Sequence, residues 1–193
     1  MKVNAAARIL IVAGLCAASL IGLVISEGAA RQAGQEIVLP MAAVDPRELL
    51  SGHYVRIQIT ERLAPGEPCP EQDAMHDWLA FAPSGAVHVL VGSAASREDA
   101  QQVGPVPAKG TFTCSPGGLN ADGTPGAGAV WIDLGIDRFY INQADALRIE
   151  RAMREQQPGG ETRVFVIASI GRDGQARLMG VIVDGERLDL NWL

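Results

Sequence analysis

The sequence has few of the residue types from which metal centres are built. It contains three cysteines and three histidines, with no Cys-x-x-Cys or His-x-x-x-His pair. Zinc sites usually combine such closely spaced pairs, so we predict neither a metal nor another cofactor. Lysine is scarcer still, because Lys109 is the only one outside the N-terminal tail. The sequence also lacks an internal repeat, which excludes a solenoid.

Positive charge is in the minority. The chain after residue 26 carries all 22 acidic side chains but only 14 of the 16 basic ones, a net charge of −8. Phosphate backbones repel a surface of that sign. We therefore expect no nucleic-acid partner and no attachment of the domain to anionic lipid headgroups. Nothing in the sequence predicts an oligomeric state.

One uncharged apolar run stands near the N-terminus, at residues 9–25. A helix crosses a bilayer with roughly 20 mostly apolar residues, whereas a cleaved signal peptide has a core of about 7–15 and a small-x-small cleavage site. We predict that residues 1–26 form an uncleaved transmembrane anchor, with a cleaved signal peptide as the alternative. Because Lys2 and Arg8 precede the run, the N-terminus is expected in the cytoplasm and the remainder outside.

The exported remainder divides into a spacer and a domain. Residues 27–36 are rich in Ala, Gly and Gln, and residues 27–40 are predicted to be a spacer that ends in a first strand at 35–39, before Pro40. Residues 41–193 are predicted to fold. Cys69 and Cys114 are the two cysteines of this part. A cysteine pair in an exported domain usually forms a disulfide, so we predict a bridge between them. Two free thiols are the alternative.

Most of the domain has strand periodicity. Apolar and polar residues alternate over residues 54–59, and strand patterns recur at 77–81, 86–91 and 130–141. The C-terminal part, residues 163–190, is predicted to be a three-stranded meander, with Asp-Gly pairs in both turns. Residues 61–73 and 115–128 are expected to be loops, and residues 103–109 are expected to be irregular. The polar segment 92–104 indicates no particular element, and a short strand is expected at 109–114.

One amphipathic helix is predicted at residues 143–156, with Asn142 as its N-cap. Glu150 and Arg154 should pair on its outer side. We count seven or eight strands in addition. The predicted fold class is therefore β-rich α+β: a transmembrane helix followed by a curved antiparallel sheet or a partly open barrel, with one packed helix.

Three blocks of the domain match a family pattern. The positions of the first block are Asp45, Pro46, Arg47, Leu50, Gly52 and Tyr54. The second and third blocks are residues 134–141 and 180–185. Together they resemble the GDYXXLXY family of membrane-anchored bacterial proteins. In the eponymous motif, His53 stands in place of aspartate, Ile57 in place of leucine and Ile59 in place of the second tyrosine.

The resemblance implies a domain held at the bacterial inner membrane that works with an integral membrane or envelope protein. It carries over no catalytic residue. The matching positions are accordingly interpreted as structural.

Several side chains could belong to a catalytic or metal site by their chemistry, but each has a simpler interpretation. His53 could be a general base or a pH sensor, but an edge-strand histidine facing water is the simpler interpretation. His53, His76 and His88 share no ligand spacing, so no metal site is predicted from them. Asp133 and Asp137 are four residues apart on a predicted strand and therefore on one face. They could form an acid–base pair, although a solvated face is the simpler interpretation.

Two functions from different classes remain open. The first is a non-catalytic accessory or interaction module for a membrane or envelope partner. The second is a hydrolase, because residues 49–55 resemble the strand after the nucleophile in type I signal peptidases. Such an enzyme needs an activated serine and a lysine base, for which Ser51 and Lys109 are the available residues. We favour the first function.

Overall fold

The computed structural model describes residues 5–42, 54–71, 77–155 and 163–190. The helices are α1 (Ala5–Gln32), α2 (Arg97–Val103) and α3 (Gln143–Glu155). The first six strands are β1 (Gln35–Pro40), β2 (Tyr54–Arg56), β3 (Ile59–Leu63), β4 (Trp78–Ser84), β5 (Val87–Ala94) and β6 (Val106–Lys109). The others are β7 (Thr111–Ser115), β8 (Gly128–Asp133), β9 (Arg138–Tyr140), β10 (Val164–Ile170), β11 (Ala176–Val183) and β12 (Glu186–Asp189).

The fold class is α+β and β-rich, as predicted, and its antiparallel sheets are not closed into a barrel. The described residues form more strands than the seven or eight predicted. One sheet has the strand order β1-β10-β11-β12, a second β3-β8-β7 and a third β5-β4-β6, and β2 pairs with β9 alone.

Helix α1 is apolar along most of its length, and its large apolar side chains are exposed. Residues Arg8–Gln32 are long and apolar enough to cross a membrane. Within residues 27–40, the predicted first strand at 35–39 is confirmed as β1, whereas the first part of the predicted spacer continues helix α1. It is helical as far as Gln32, and strand β1 begins at Gln35.

The core lies between the sheets and follows the period of two that strands impose. Ile37 and Leu39 of β1, and Val130 and Ile132 of β8, turn inward and are buried. The intervening positions of β8 are outward: Trp131 and Asp133 are exposed.

The predicted strand over residues 54–59 is in fact two strands. Residues 54–56 form β2, the next two residues leave the ladder, and β3 runs from Ile59 to Leu63 in another sheet. The predicted loop at 61–73 therefore begins three residues too early, because β3 continues through Leu63. Likewise, residues 130–141 are not one strand, because Gly135, with φ 73°, turns the chain between β8 and β9.

The prediction of irregular structure at 103–109 is wrong, and the polar segment 92–104, for which no element was predicted, contains a helix. Helix α2 begins there at an N-cap, where the Ser96 hydroxyl accepts from the backbone N–H of Asp99 at 3.1 Å. Strand β6 follows despite Pro107, and β6 is the outer strand of its sheet. Proline is tolerated on an edge strand because no neighbour needs its missing N–H.

Helix α3 forms where it was predicted and has the predicted N-cap. The Asn142 side chain accepts from the N–H of Asp145 at 2.9 Å, and Ile149, Ala152 and Met153 are buried. Glu150 pairs with Arg154 at 3.0 Å. The pair is not on the outer side as expected, however, because Glu150 is buried.

The meander is confirmed. Strands β10, β11 and β12 are antiparallel neighbours. Gly174 and Gly185 take positive φ angles of 79° and 81° in the two turns, a conformation that glycine adopts without steric penalty. The hairpin of β4 and β5 also forms where predicted, with Gly85 in its turn.

Candidate interaction surface

A groove of about 390 Å³ lies where the first and second sequence blocks meet. Strand β2 of the first block pairs with β9 of the second, placing Tyr54 opposite Tyr140 and Val55 opposite Phe139. After β2, the backbone N–H of Ile57 donates to the carbonyl of Asp137 at 2.9 Å. The two blocks therefore form one structural unit, with the groove between them.

The floor of the groove is apolar. Ile57 and Ile59 come from the first block, and Ile136 from the second. Ile59 also lies opposite Ile132 in the β3–β8 ladder. The two motif positions at which this chain has isoleucine are thus buried and contribute to the packing between the two blocks.

Trp131 forms one wall of the groove and is the most prominent feature of its surface. It lies on the central strand of its sheet, opposite Thr60 on one side and Thr113 on the other. Trp131 is 37% exposed. Threonine side chains are too short to cover an indole, so the ring remains accessible from solvent.

Asp133 and Asp137 both line the groove but do not share a strand, so the prediction of one face on one strand is wrong. Asp133 ends β8, and its Oδ1 accepts from the N–H of Gly135 at 2.8 Å. Asp137 follows the turn and binds Arg138, 2.8 Å from Oδ2 to Nη2. The two carboxylates therefore differ in charge balance, because Asp137 already has a cation beside it.

A second groove, of about 400 Å³, lies on the far side of Asp133. Lys109 is one of its lining residues, and its ammonium lies 5.5 Å from the centre of the Trp78 ring. The backbone N–H of Lys109 donates to Gly174 at 2.7 Å. Ser51, the other residue that the hydrolase would require, lies outside the described residues.

The Cys69–Cys114 bridge is present, with the Cα atoms 5.9 Å apart. It ties the segment after β3 to strand β7. Both cysteines pack against the hydrophobic core. The bridge therefore fixes an otherwise irregular segment to the sheet that carries Trp131.

The base of α1 is attached to the β10–β11 hairpin. Arg177 Nε donates to Glu27 Oε1 at 2.5 Å, and Arg177 also binds Asp173 at 3.0 Å. The Ser169 hydroxyl donates to the carbonyl of Arg31 at 2.6 Å. The bonds to Asp173, and then to Glu27, raise the pKa of Arg177 above its ordinary value. The cation is therefore permanent and links the helix to the sheet.

Side chains join the sheets where strand edges meet. The N–H of Val38 in β1 donates to His88 Nδ1 at 3.3 Å, and the N–H of Leu90 in β5 donates to Glu61 Oε2 at 2.9 Å. Burial lowers the pKa of His88. Burial also raises the pKa of Glu61, against the opposing effect of the Leu90 bond. His88 is thus a structural acceptor in its neutral form.

The remaining sequence-predicted residues fall mainly outside the described ranges. These are Asp45, Pro46, Arg47, Leu50, Gly52, His53 and His76. Tyr54 is placed in β2 by its backbone. Within the described ranges, no group of three or more His, Cys, Asp and Glu side chains is arranged to hold a metal ion.

Two features of the surface were not singled out from the sequence. The first is Trp131. The alternation along residues 128–133 shows that Trp131 and Val130 lie on opposite faces of the strand, but it does not show which of the two faces is covered by other elements. Arg177 pairs across 150 positions with Glu27, a contact that no local pattern can indicate.

The comparison with protein families gives one match. A family model described as "GDYXXLXY protein" matches residues 16–181, from within α1 to within β11. No curated protein and no solved structure matches the chain. The matched range includes the groove, Trp131 and both bridged cysteines, and it covers most of the sequence. The chain therefore belongs to the GDYXXLXY family.

Proposed function

We propose that this protein is a domain anchored in the bacterial inner membrane by one helix and exposed in the periplasm. There it acts as a non-catalytic accessory or interaction module for an integral membrane or envelope protein. The observation that carries the proposal is the direct, charged attachment of an exposed apolar helix to a folded β-rich domain.

The attachment favours a partner that lies close to the bilayer. A flexible spacer would let the domain range widely, but only Ala33 and Gly34 separate α1 from β1. A Cβ added to Gly34 would collide with the hydroxyl of Ser169, so the connection is also closely packed. A domain held in this way presents a fixed set of surfaces near the membrane.

The disulfide and the distribution of charge support a periplasmic location for the domain. A disulfide persists in oxidising compartments, and Cys69 is bridged to Cys114. Lys2 and Arg8 precede the apolar run and favour a cytoplasmic N-terminus. The net charge of −8 after the run argues against nucleic acid and anionic headgroups as partners.

The test is cross-linking in intact membranes, followed by purification in a mild detergent. A photoreactive residue at Thr113, beside Trp131, should give a discrete product with one membrane or envelope protein. The matched control carries the same residue at Glu98 on α2, which packs against another sheet.

The proposal fails if neither position yields a partner. Labelling of Ser51 by a serine-directed fluorophosphonate would instead favour the hydrolase. In that case Ser51→Ala and Lys109→Met would both abolish labelling in a folded protein.

A further inference from the structure

We infer that the groove beside Trp131 binds a cationic side chain, an arginine or a lysine, from an extended segment of the partner protein. The inference rests on the proposed function and deepens it, since it names the surface and the chemistry of what that surface recognises. Three properties of the groove support it: a partly exposed tryptophan, a carboxylate with an available oxygen, and an apolar floor.

The aromatic face belongs to Trp131. Its neighbours across both ladders are threonines, and the residue is 37% exposed on the middle strand of the sheet. Tryptophan attracts cations to its ring face more strongly than the other aromatic side chains do. It is also enriched among the residues that dominate binding energy in protein interfaces.

The carboxylate belongs to Asp133. It lies two positions after Trp131 on the same outward face, about 6–7 Å further along the strand. One oxygen accepts from the N–H of Gly135, while within the described chain its Oδ2 has no hydrogen-bond partner. Asp137, across the groove, is neutralised by Arg138. Asp133 is therefore the carboxylate left to bind an incoming cation.

The apolar floor fits the rest of such a side chain. Arginine and lysine carry an aliphatic stem, which packs on apolar surface while the charged head stays near polar groups. Ile136, which is only half-buried, provides that surface in a groove of about 390 Å³, with the buried Ile57 and Ile59 beneath it. The net charge of −8 on the domain adds attraction for a basic segment at long range.

The experiment measures peptide binding to the full-length protein in a neutral detergent. The probes are two blocked tripeptides, Val-Arg-Val and Val-citrulline-Val, which have nearly the same shape but differ in charge. Binding is followed by the NMR signal of the Trp131 indole. We expect the arginine peptide to bind at least about tenfold more tightly, the effect typical of a charged hydrogen bond, and to weaken as salt rises.

Two variants and one control locate the site. Asp133→Asn removes the charge but keeps an oxygen for the Gly135 N–H, so the turn should fold normally. It should bind the arginine peptide at least about tenfold more weakly. Trp131→Thr should weaken binding by a similar factor. Because that variant has no indole at this position, its binding is followed by the NMR shifts of neighbouring backbone amides. Glu98→Gln removes an equal charge from α2 and should bind as the unaltered protein does.

Equal binding of the two peptides, or retention of arginine binding in Asp133→Asn, overturns the inference. Partner capture separates the two proposals. If the unaltered protein and both groove variants capture the same partner, the groove assignment is wrong and the module function stands. If arginine binding is selective but no partner is captured, the groove chemistry stands and the proposed function fails.

Discussion

Arg177 in β11 and Glu27 in α1 lie 150 positions apart, and their side chains meet at 2.5 Å. The Arg177 side chain is only 11% exposed and also binds Asp173 in the preceding turn. One guanidinium therefore holds both the hairpin turn and the base of helix α1. Glu27 is the first charged residue after the apolar run, so the β10–β11 turn lies where the helix would leave the bilayer.

Replacing Arg177 should loosen that junction. Arg177→Ala removes hydrogen bonds to two carboxylates and should lower the free energy of unfolding by about 1–2 kcal/mol, since both partners are half exposed. Chemical unfolding of the full chain in detergent measures this change. Arg172→Ala, at an exposed position in the same turn, is the matched control. Equal effects of the two variants would mean that the junction contributes no specific stability.

Loss of the disulfide should be more severe. On the loop-entropy model, a bridge that spans 45 positions stabilises by about 4 kcal/mol. The double variant Cys69→Ser/Cys114→Ser should therefore unfold at a much lower denaturant concentration, whereas Cys16→Ser should have little effect. Alkylation of the native protein without reductant, read by mass spectrometry, should leave Cys69 and Cys114 unmodified. Modification of both at the rate of exposed thiols would show that the bridge does not form.

The isoleucine at the motif's leucine position should matter for folding. Ile57→Ala removes a buried side chain and should cost about 2–5 kcal/mol. Its neighbour Gln58 is exposed, and Gln58→Ala should change stability by less than about 0.5 kcal/mol. Thermal unfolding compares the two. A small effect of Ile57→Ala would indicate that the first block does not hold the groove together.

His88 should make stability depend on pH. Its pKa is lowered from the usual 6.5 by burial, so its contribution is present above that value and is lost as the pH falls through the folded-state pKa. Protonation also removes the acceptor for the Val38 N–H. Between about pH 7.5 and pH 5, the unaltered protein should lose more stability than His88→Asn, whose side-chain oxygen accepts at any pH.

The comparison with His88→Asn is needed because Glu61 acts in the opposite direction. Its raised pKa makes its contribution greatest at low pH and weaker as the pH rises. Urea unfolding at several pH values gives the pH dependence of the free energy of unfolding for the unaltered protein and for His88→Asn. If the two proteins show the same pH dependence, His88 is not the titrating acceptor.

Local signals in the sequence were sufficient for the turns and for α3. Gly174 and Gly185 take the positive φ angles that Asp-Gly turns use, and Asn142 caps α3 as expected. In each case a few adjacent residues determine the conformation. The disulfide was also predictable, because export and cysteine number left a single pair.

Tertiary context decided what the sequence left open. The alternating residues 54–59 look like one strand, but the chain passes between two sheets after Arg56. Glu150 has the spacing of a surface ion pair and is nevertheless buried. The groove depends on how β8, β9 and the first block come together, so Trp131 could not be identified as a surface anchor from its own strand.

The most direct test of the account is the side of the membrane on which the β-rich domain lies. Reporter fusions at Leu193 measure it: one reporter fluoresces only in the cytoplasm, and the other is enzymatically active only in the periplasm. The account predicts no fluorescence and full periplasmic activity. A matched fusion after Met1, on the cytoplasmic side of α1, should fluoresce. Fluorescence from the Leu193 fusion without periplasmic activity would contradict the account, because it would place the domain in the cytoplasm.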